Sequence, residues 1–170
     1  KLELGTFGTN VSNAVSFTTI PERYDATWPN TLSLARIADR MEFEALVPVA
    51  RWKGFGGETN MNGQNFEVYT WAAGLGALTK NSCVLATSHV PTMHPVLAAK
   101  QSTTIDHITN GRFALNIVCG WFRNEMELFG GGLMEHDKAY DYAAEWLDVM
   151  IKLWTIDGEF NHDGEHFNVQ

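Results

Sequence analysis

At 170 residues and a net charge of −8, the chain has the length of one domain. The acidity, and the absence of basic runs interleaved with aromatics, exclude a nucleic-acid surface, while the aliphatic and aromatic content excludes a disordered chain. No apolar stretch is long enough to span a membrane and no secretory leader is visible, so no membrane partner is expected. Cys83 and Cys119 are the only cysteines, and both lie in apolar runs. They read as reduced core thiols of a cytoplasmic protein. The chain opens on Lys1 rather than Met, so its natural start is expected to lie upstream.

Leu2 to Phe7 alternates as a strand, and the Thr-, Ser-, Asn- and Pro-rich region 8–30 reads as a long loop, of the kind that in compact domains usually carries function. From Thr31 to Met41 the apolar residues fall at helical spacing, with Asn30 or Thr31 as the cap. Ala45 to Ala50 is a buried strand, weakened in its later half because Pro48 donates no hydrogen bond to a ladder. A glycine-rich loop then runs from Arg51 through Gly54-Phe55-Gly56-Gly57 to about Asn65. Phe66 to Thr79 makes a second helix and Cys83 to Thr87 a third strand. Pro95 opens a helix running to about Ile108, and Asn110-Gly111 turns into a fourth strand. Beyond Trp121 an irregular segment leads to Asp137, the expected cap of a long amphipathic helix through Trp154. The tail, 158–169, reads as a hairpin with Asp163-Gly164 at its turn.

Strand followed by helix, four times over, is the pattern of a parallel α/β sheet. An open doubly wound sheet would carry a glycine-rich phosphate loop after its first strand, and Gly5-Thr6-Phe7-Gly8-Thr9-Asn10 does not fit that fingerprint. Polar residues gathered at the carboxyl ends of successive strands instead favour a (β/α)8 TIM-type barrel. Such a barrel takes about 250 residues, so residues 1–170 are expected to form its N-terminal half, about the first four βα units of a single domain.

The fourth strand holds the residue of most interest. Alternation puts Phe113, Leu115 and Ile117 on one face and Ala114, Asn116 and Val118 on the other, the slimmer face suiting a barrel interior. An amide buried there without a partner costs about 1–3 kcal/mol, so Asn116 either finds a local hydrogen bond or meets a ligand. The ligand reading is preferred because the strand ends in Gly120-Trp121 rather than in more core.

Several stretches then form a set: Lys53-Gly54-Phe55-Gly56-Gly57, residues 98–107 (AAKQSTTIDH), Asn110-Gly111-Arg112, residues 116–121 (NIVCGW), and Glu135-His136-Asp137 with Tyr140 and Glu145. In order and spacing the set resembles the bacterial luciferase-like family of flavin-dependent monooxygenases, in the branch that acts on pyrimidines, dimethylsulfone and alkanesulfonates. The resemblance implies a barrel, an FMN cofactor supplied reduced by a separate NAD(P)H:flavin reductase, O2 and a small organic substrate, and homo-oligomerisation. It also implies cofactor contacts at Ala50, Arg51, Thr87, Asn116, Glu125, Ala139 and Tyr140, with Asn116 and Thr87 nearest the reacting centre. One position departs from the family, since an arginine usually stands where Ala139 does. Lys138 is one residue away, but a lysine does not reproduce a bidentate guanidinium contact with phosphate.

On local sequence alone Thr87 is equally a strand-end hydroxyl satisfying a carbonyl, Arg51 a surface ion-pair partner, and Glu125 a solvated helix-end charge. His89 and His94 are expected on the active face as structural or substrate-wall residues, and no histidine–carboxylate spacing suggests a metal. The leading expectation is an FMN-dependent monooxygenase. The alternatives are a non-catalytic barrel subunit with weakened flavin binding, which the missing arginine keeps open, and a metal-dependent barrel lyase or isomerase.

Overall fold

A computed structural model describes residues 2–170. Four strands, β1 (Gly5–Phe7), β2 (Ala45–Val47), β3 (Cys83–His89) and β4 (Phe113–Val118), form one sheet in the order β1-β2-β3-β4. β1 pairs parallel with β2 (Gly5 opposite Ala45) and β2 parallel with β3 (Ala45 opposite Cys83). Between the strands run α1 (Trp28–Arg40), α2 (Val68–Leu78) and α3 (Pro95–Thr109). After β4 come a short α4 (Arg123–Met126), the long α5 (His136–Thr155), and a hairpin of β5 (His162–Asp163) and β6 (Asn168–Val169). The four expected strand–helix units are present, in a sheet that is open, with β1 and β4 at its edges. A closed barrel is not formed by these residues.

The chain clusters into two compact units. The first takes the chain up to Ser88 together with Thr104–Asn116, and the second comprises His89–Thr103 and Ile117–Gln170. In the first, α1 and α2 pack through Trp71, whose indole Nε1 donates to Thr31 Oγ1 at 2.9 Å, and through Trp28, which lies where a Cβ on Gly74 would stand, 2.6 Å from the ring. Trp71, Ala72, Leu75, Leu46 and Val84 are buried there. In the second, Trp146, Val149 and Met150 of α5 are fully buried, and Trp146 Nε1 donates to the Met93 carbonyl at 2.7 Å. An indole that buries its ring and still satisfies its one donor fixes a helix in both rotation and register.

Element ends moved from their expected places for local reasons. α1 begins at Trp28 rather than Thr31, because Thr27 accepts from the Asn30 N–H and Pro29 lies in the first turn, where a missing N–H costs nothing. β2 stops at Val47, one residue before Pro48. The long helix is capped by Glu135, whose carboxylate accepts from the Asp137 and Lys138 N–H groups, both at 3.2 Å, so Asp137 lies inside the first turn and is not the cap. α3 ends on Asn110 and Gly111, both left-handed at φ 55° and 79°, which is why this turn takes an Asn-Gly pair. The hairpin forms as expected and is closed by Gly164 N–H donating to the Phe167 carbonyl at 3.0 Å.

Candidate functional site

The carboxyl ends of β2, β3 and β4 carry a chain of hydrogen bonds in the first unit. Pro48, just past β2, offers only a carbonyl, and Thr87 Oγ1 of β3 donates to it at 2.7 Å. With its proton committed, the same oxygen accepts from Asn116 Nδ2 of β4 at 3.3 Å. Thr87 is buried, but Asn116 is exposed, and no residue of β4 is fully buried. The expectation of a buried amide is thus corrected: β4 is a sheet edge, and Asn116 combines a local hydrogen bond with an open face. Its Oδ1 and second Nδ2 hydrogen remain for a ligand.

Ala50 and Arg51 continue from β2 and are 6% and 7% exposed. Arg51 is buried rather than at the surface, and its guanidinium lies over the Phe55 ring, 4.6 Å from the centroid. The loop that supplies Phe55 needs its glycines for different reasons. A Cβ on Gly54 would stand 2.6 Å from Gly63 Cα, so Gly54 is small because its own loop packs on it. Gly56 and Gly57 need left-handed backbone, at φ 74° and 69°, with open space around them.

In the second unit Glu125 is fully buried, which corrects the reading of it as a solvated helix-end charge. Its Oε2 lies 3.9 Å from Nδ1 of His89, itself 5% exposed. His94 packs edge-on to Phe167, with 5.7 Å between ring centroids. A concavity of about 480 Å³ is lined by Ile117, Val118, Gly120, Trp121, Ala139 and Tyr140 together with Cys119, Leu133, Met134 and His136. Ala139 is buried and Tyr140 exposed. His136 is the basic side chain that lines this concavity, whereas Lys138 does not line it. The His136 ring lies against Tyr140 (5.0 Å between centroids), with Nδ1 2.9 Å from Asp137 Oδ1. Gly120 sits at φ 83°, and a Cβ there would meet Met126 Sδ at 2.9 Å, so the backbone at the mouth needs glycine.

Both thiols are free, and burial raises their pKa, which makes them poor nucleophiles. Among the described residues no group of three or more His, Cys, Asp or Glu could hold a metal ion, and no helix is long and apolar enough to cross a membrane.

Residues 6–170 match the family model described as luciferase-like monooxygenase. The chain belongs to this family. Pyrimidine monooxygenase RutA of Serratia proteamaculans is 32% identical over 170 residues, covering 99% of this chain and 46% of that protein. Its namesake from Pseudomonas savastanoi pv. phaseolicola is 33% identical over 172 residues, with 99% and 47% covered. The chain therefore spans about half the length of the curated relatives it matches. Among solved structures, EDTA monooxygenase (EmoA) from Chelativorans sp. BNC1 superposes with a TM-score of 0.83 at 19% identity, over 99% of this chain and 46% of that one. Long-chain alkane monooxygenase (LadA) gives 0.80 at 23%, over 99% and 47%. These two likenesses carry the fold of the luciferase-like family and not a substrate.

FMN is a planar ring system with a polar edge and an anionic tail, and each unit is measured against it by itself. The Thr87–Asn116 pair is a neutral donor and acceptor set with capacity left over. The concavity in the second unit has an apolar and aromatic wall in Ile117, Val118 and Trp121. For the anionic tail the concavity offers His136 and the Tyr140 hydroxyl, and no arginine lines it. The donor set fits the ring better than the phosphate.

Proposed function

We propose that the intact protein is an FMN-dependent monooxygenase that takes reduced flavin from a separate NAD(P)H:flavin reductase and uses O2 to oxygenate a small organic substrate of the pyrimidine class. The observation that carries this reading is the Pro48–Thr87–Asn116 relay at the carboxyl ends of adjacent strands, the end of a βα sheet where barrel enzymes build their sites. The identity of 30–33% over nearly the whole chain to proteins named pyrimidine monooxygenase favours pyrimidines over sulfones or sulfonates.

Reduced FMN, when bound, supplies the two electrons that divide O2 between the substrate and water. The protein's own residues orient and shield. Thr87 holds its proton toward Pro48 and so presents a fixed acceptor, which sets the amide plane of Asn116. Asn116 can then hydrogen-bond near the reacting centre without competing as a nucleophile, and Thr87, whose proton faces only a weakly basic carbonyl, is not activated as one either. In the first unit the cofactor contacts are Ala50, Arg51, Thr87 and Asn116, with Arg51 stacked on Phe55. In the second they are Glu125, Ala139 and Tyr140. Trp121 and its apolar neighbours would shield from water a ligand that fills the concavity they line.

A second reading, a barrel subunit with weakened flavin binding that serves as a partner, is favoured by one observation: a buried methyl, Ala139, stands where the phosphate contact is expected. Incubating the full-length protein with reduced FMN, ¹⁸O2 and either uracil or dimethylsulfone separates the readings. The proposal expects ¹⁸O in a product of uracil; label in the sulfone product alone overturns the substrate class. No turnover with any substrate, together with no binding of either redox form of FMN, supports the partner reading.

A further inference from the structure

Asn10 lies in the loop after β1, far in sequence from every residue assigned above, and is fully buried. Its side chain treats Val49 as a strand neighbour would. Oδ1 accepts from the Val49 N–H at 2.8 Å, and Nδ2 donates to the Val49 carbonyl at 2.7 Å. The reason lies one residue upstream. β1 pairs with β2 as far as Val47, whose carbonyl accepts from the Gly8 N–H at 3.0 Å, and Pro48 then ends the ladder because it has no N–H. A primary amide carries one donor and one acceptor in the same plane, as a peptide does, so Asn10 continues the pairing where the backbone cannot. Asn10 also ties in a third segment: its carbonyl accepts from the Phe66 N–H at 2.9 Å, and Nδ2 reaches the Phe66 carbonyl at 3.4 Å.

Val49 is followed at once by Ala50 and Arg51. With Thr87 holding the Pro48 carbonyl and Asn10 holding both polar groups of Val49, the backbone leading into these residues is fixed on either side. We infer that Asn10 is a positioning residue, which sets the Val49–Arg51 segment and through it the cofactor contacts of Ala50 and Arg51. This rests on the flavin reading above. Asn62 supplies an internal control of similar chemistry. It is buried, and its Nδ2 donates to the Ser12 and Ala14 carbonyls at 3.2 and 2.7 Å, joining the same two loops, yet it makes no hydrogen bond to residues 48–51.

The test compares wild type, Asn10→Ala, Asn10→Ser and Asn62→Ala in the full-length protein, by amide hydrogen exchange of residues 49–53 without flavin and by FMN titration. Positioning predicts at least about tenfold faster exchange at 49–53 and at least about tenfold weaker FMN binding in Asn10→Ala. Asn10→Ser, which keeps one hydrogen-bonding atom, falls between it and wild type. Asn62→Ala leaves both readouts within about twofold of wild type. Unchanged exchange at 49–53 in Asn10→Ala, or an equal change in Asn62→Ala, overturns the inference. If wild type binds no FMN while Asn10→Ala still loosens 49–53 selectively, the flavin reading fails and the role of Asn10 in fixing the segment stands.

Discussion

The two ends of the sheet in the first unit are both polar, and they are built from opposite chemistry. At the amino end, Asp39 accepts from the Lys80, Asn81 and Ser82 N–H groups at 3.0, 2.7 and 2.9 Å. Beside it Arg112 donates to the carbonyls of Ser82, Gly76 and Thr79 at 2.8, 3.1 and 3.0 Å. The strong groups there are full charges answered mainly by backbone. At the carboxyl end the hydrogen-bonded relay is neutral, Thr87, Asn116 and Asn10, the charge of Arg51 lies over the Phe55 ring, and Asn116 keeps hydrogen-bonding capacity on an exposed face. A charged network answered by backbone holds loops together; a neutral relay with capacity left over suits the cofactor site proposed above.

If the amino end is architecture alone, Arg112→Ala should be the most damaging substitution to the fold. It strands three carbonyls and is expected to cost about 3–4 kcal/mol in urea unfolding, while the folded fraction binds FMN as wild type does. A loss of flavin affinity with intact stability would dissolve the distinction. Asp39 sharpens it through pH. Burial alone would raise its carboxyl pKa, but three backbone donors and then Arg112 outweigh burial and hold it below the ordinary 3.8. A depressed folded pKa means that the stabilisation is complete above about pH 3.8 and is lost as pH falls through the folded value. Asp39→Asn should cost about 2 kcal/mol at pH 7 and flatten the acid limb of the stability curve, measured by thermal unfolding from pH 7 to 2.5.

At the other end the effects fall on the ligand. Thr87→Val, which keeps shape but leaves the Pro48 carbonyl without its donor and Asn116 without its acceptor, should weaken FMN binding about tenfold and cost about 1–2 kcal/mol of stability. The smallest expected effect is a gain. Ala139→Arg places a guanidinium at the concavity of the second unit, and FMN should bind about threefold to tenfold more tightly, with riboflavin, which lacks the phosphate, unaffected in the same titration.

Much of this was legible in the sequence, for reasons of period and turn chemistry. The four strand–helix units follow from alternating apolar periods, and the Asn110-Gly111 turn and the hairpin follow from residues that tolerate or require left-handed backbone. Helix starts were less legible, because Thr27 before Trp28-Pro29 competes with Asn30 and Thr31, and Glu135 with Asp137, as plausible caps. Of the candidate site residues, Asn116 is conspicuous as a polar residue inside an apolar strand, whereas Thr87, an ambiguous strand-end hydroxyl on local sequence, is marked only by the family resemblance. The burial of Arg51 and Glu125 could not be found, since a charge in a loop reads as solvated until its partners are known. Asn10 was hidden for a different reason: its partner, Val49, lies 39 residues away. The only local hint is that Pro48 leaves a strand in need of a substitute donor.

The most direct measurement is the FMN dissociation constant, oxidised and photoreduced, of full-length wild type and Asn116→Ala, read by flavin fluorescence beside a urea curve for each. Because Asn116 is exposed and has one protein partner, its loss should change stability by no more than about 0.5 kcal/mol, yet weaken binding of reduced FMN about tenfold. Equal flavin affinity in the two proteins would contradict the assignment of the carboxyl end as the cofactor site.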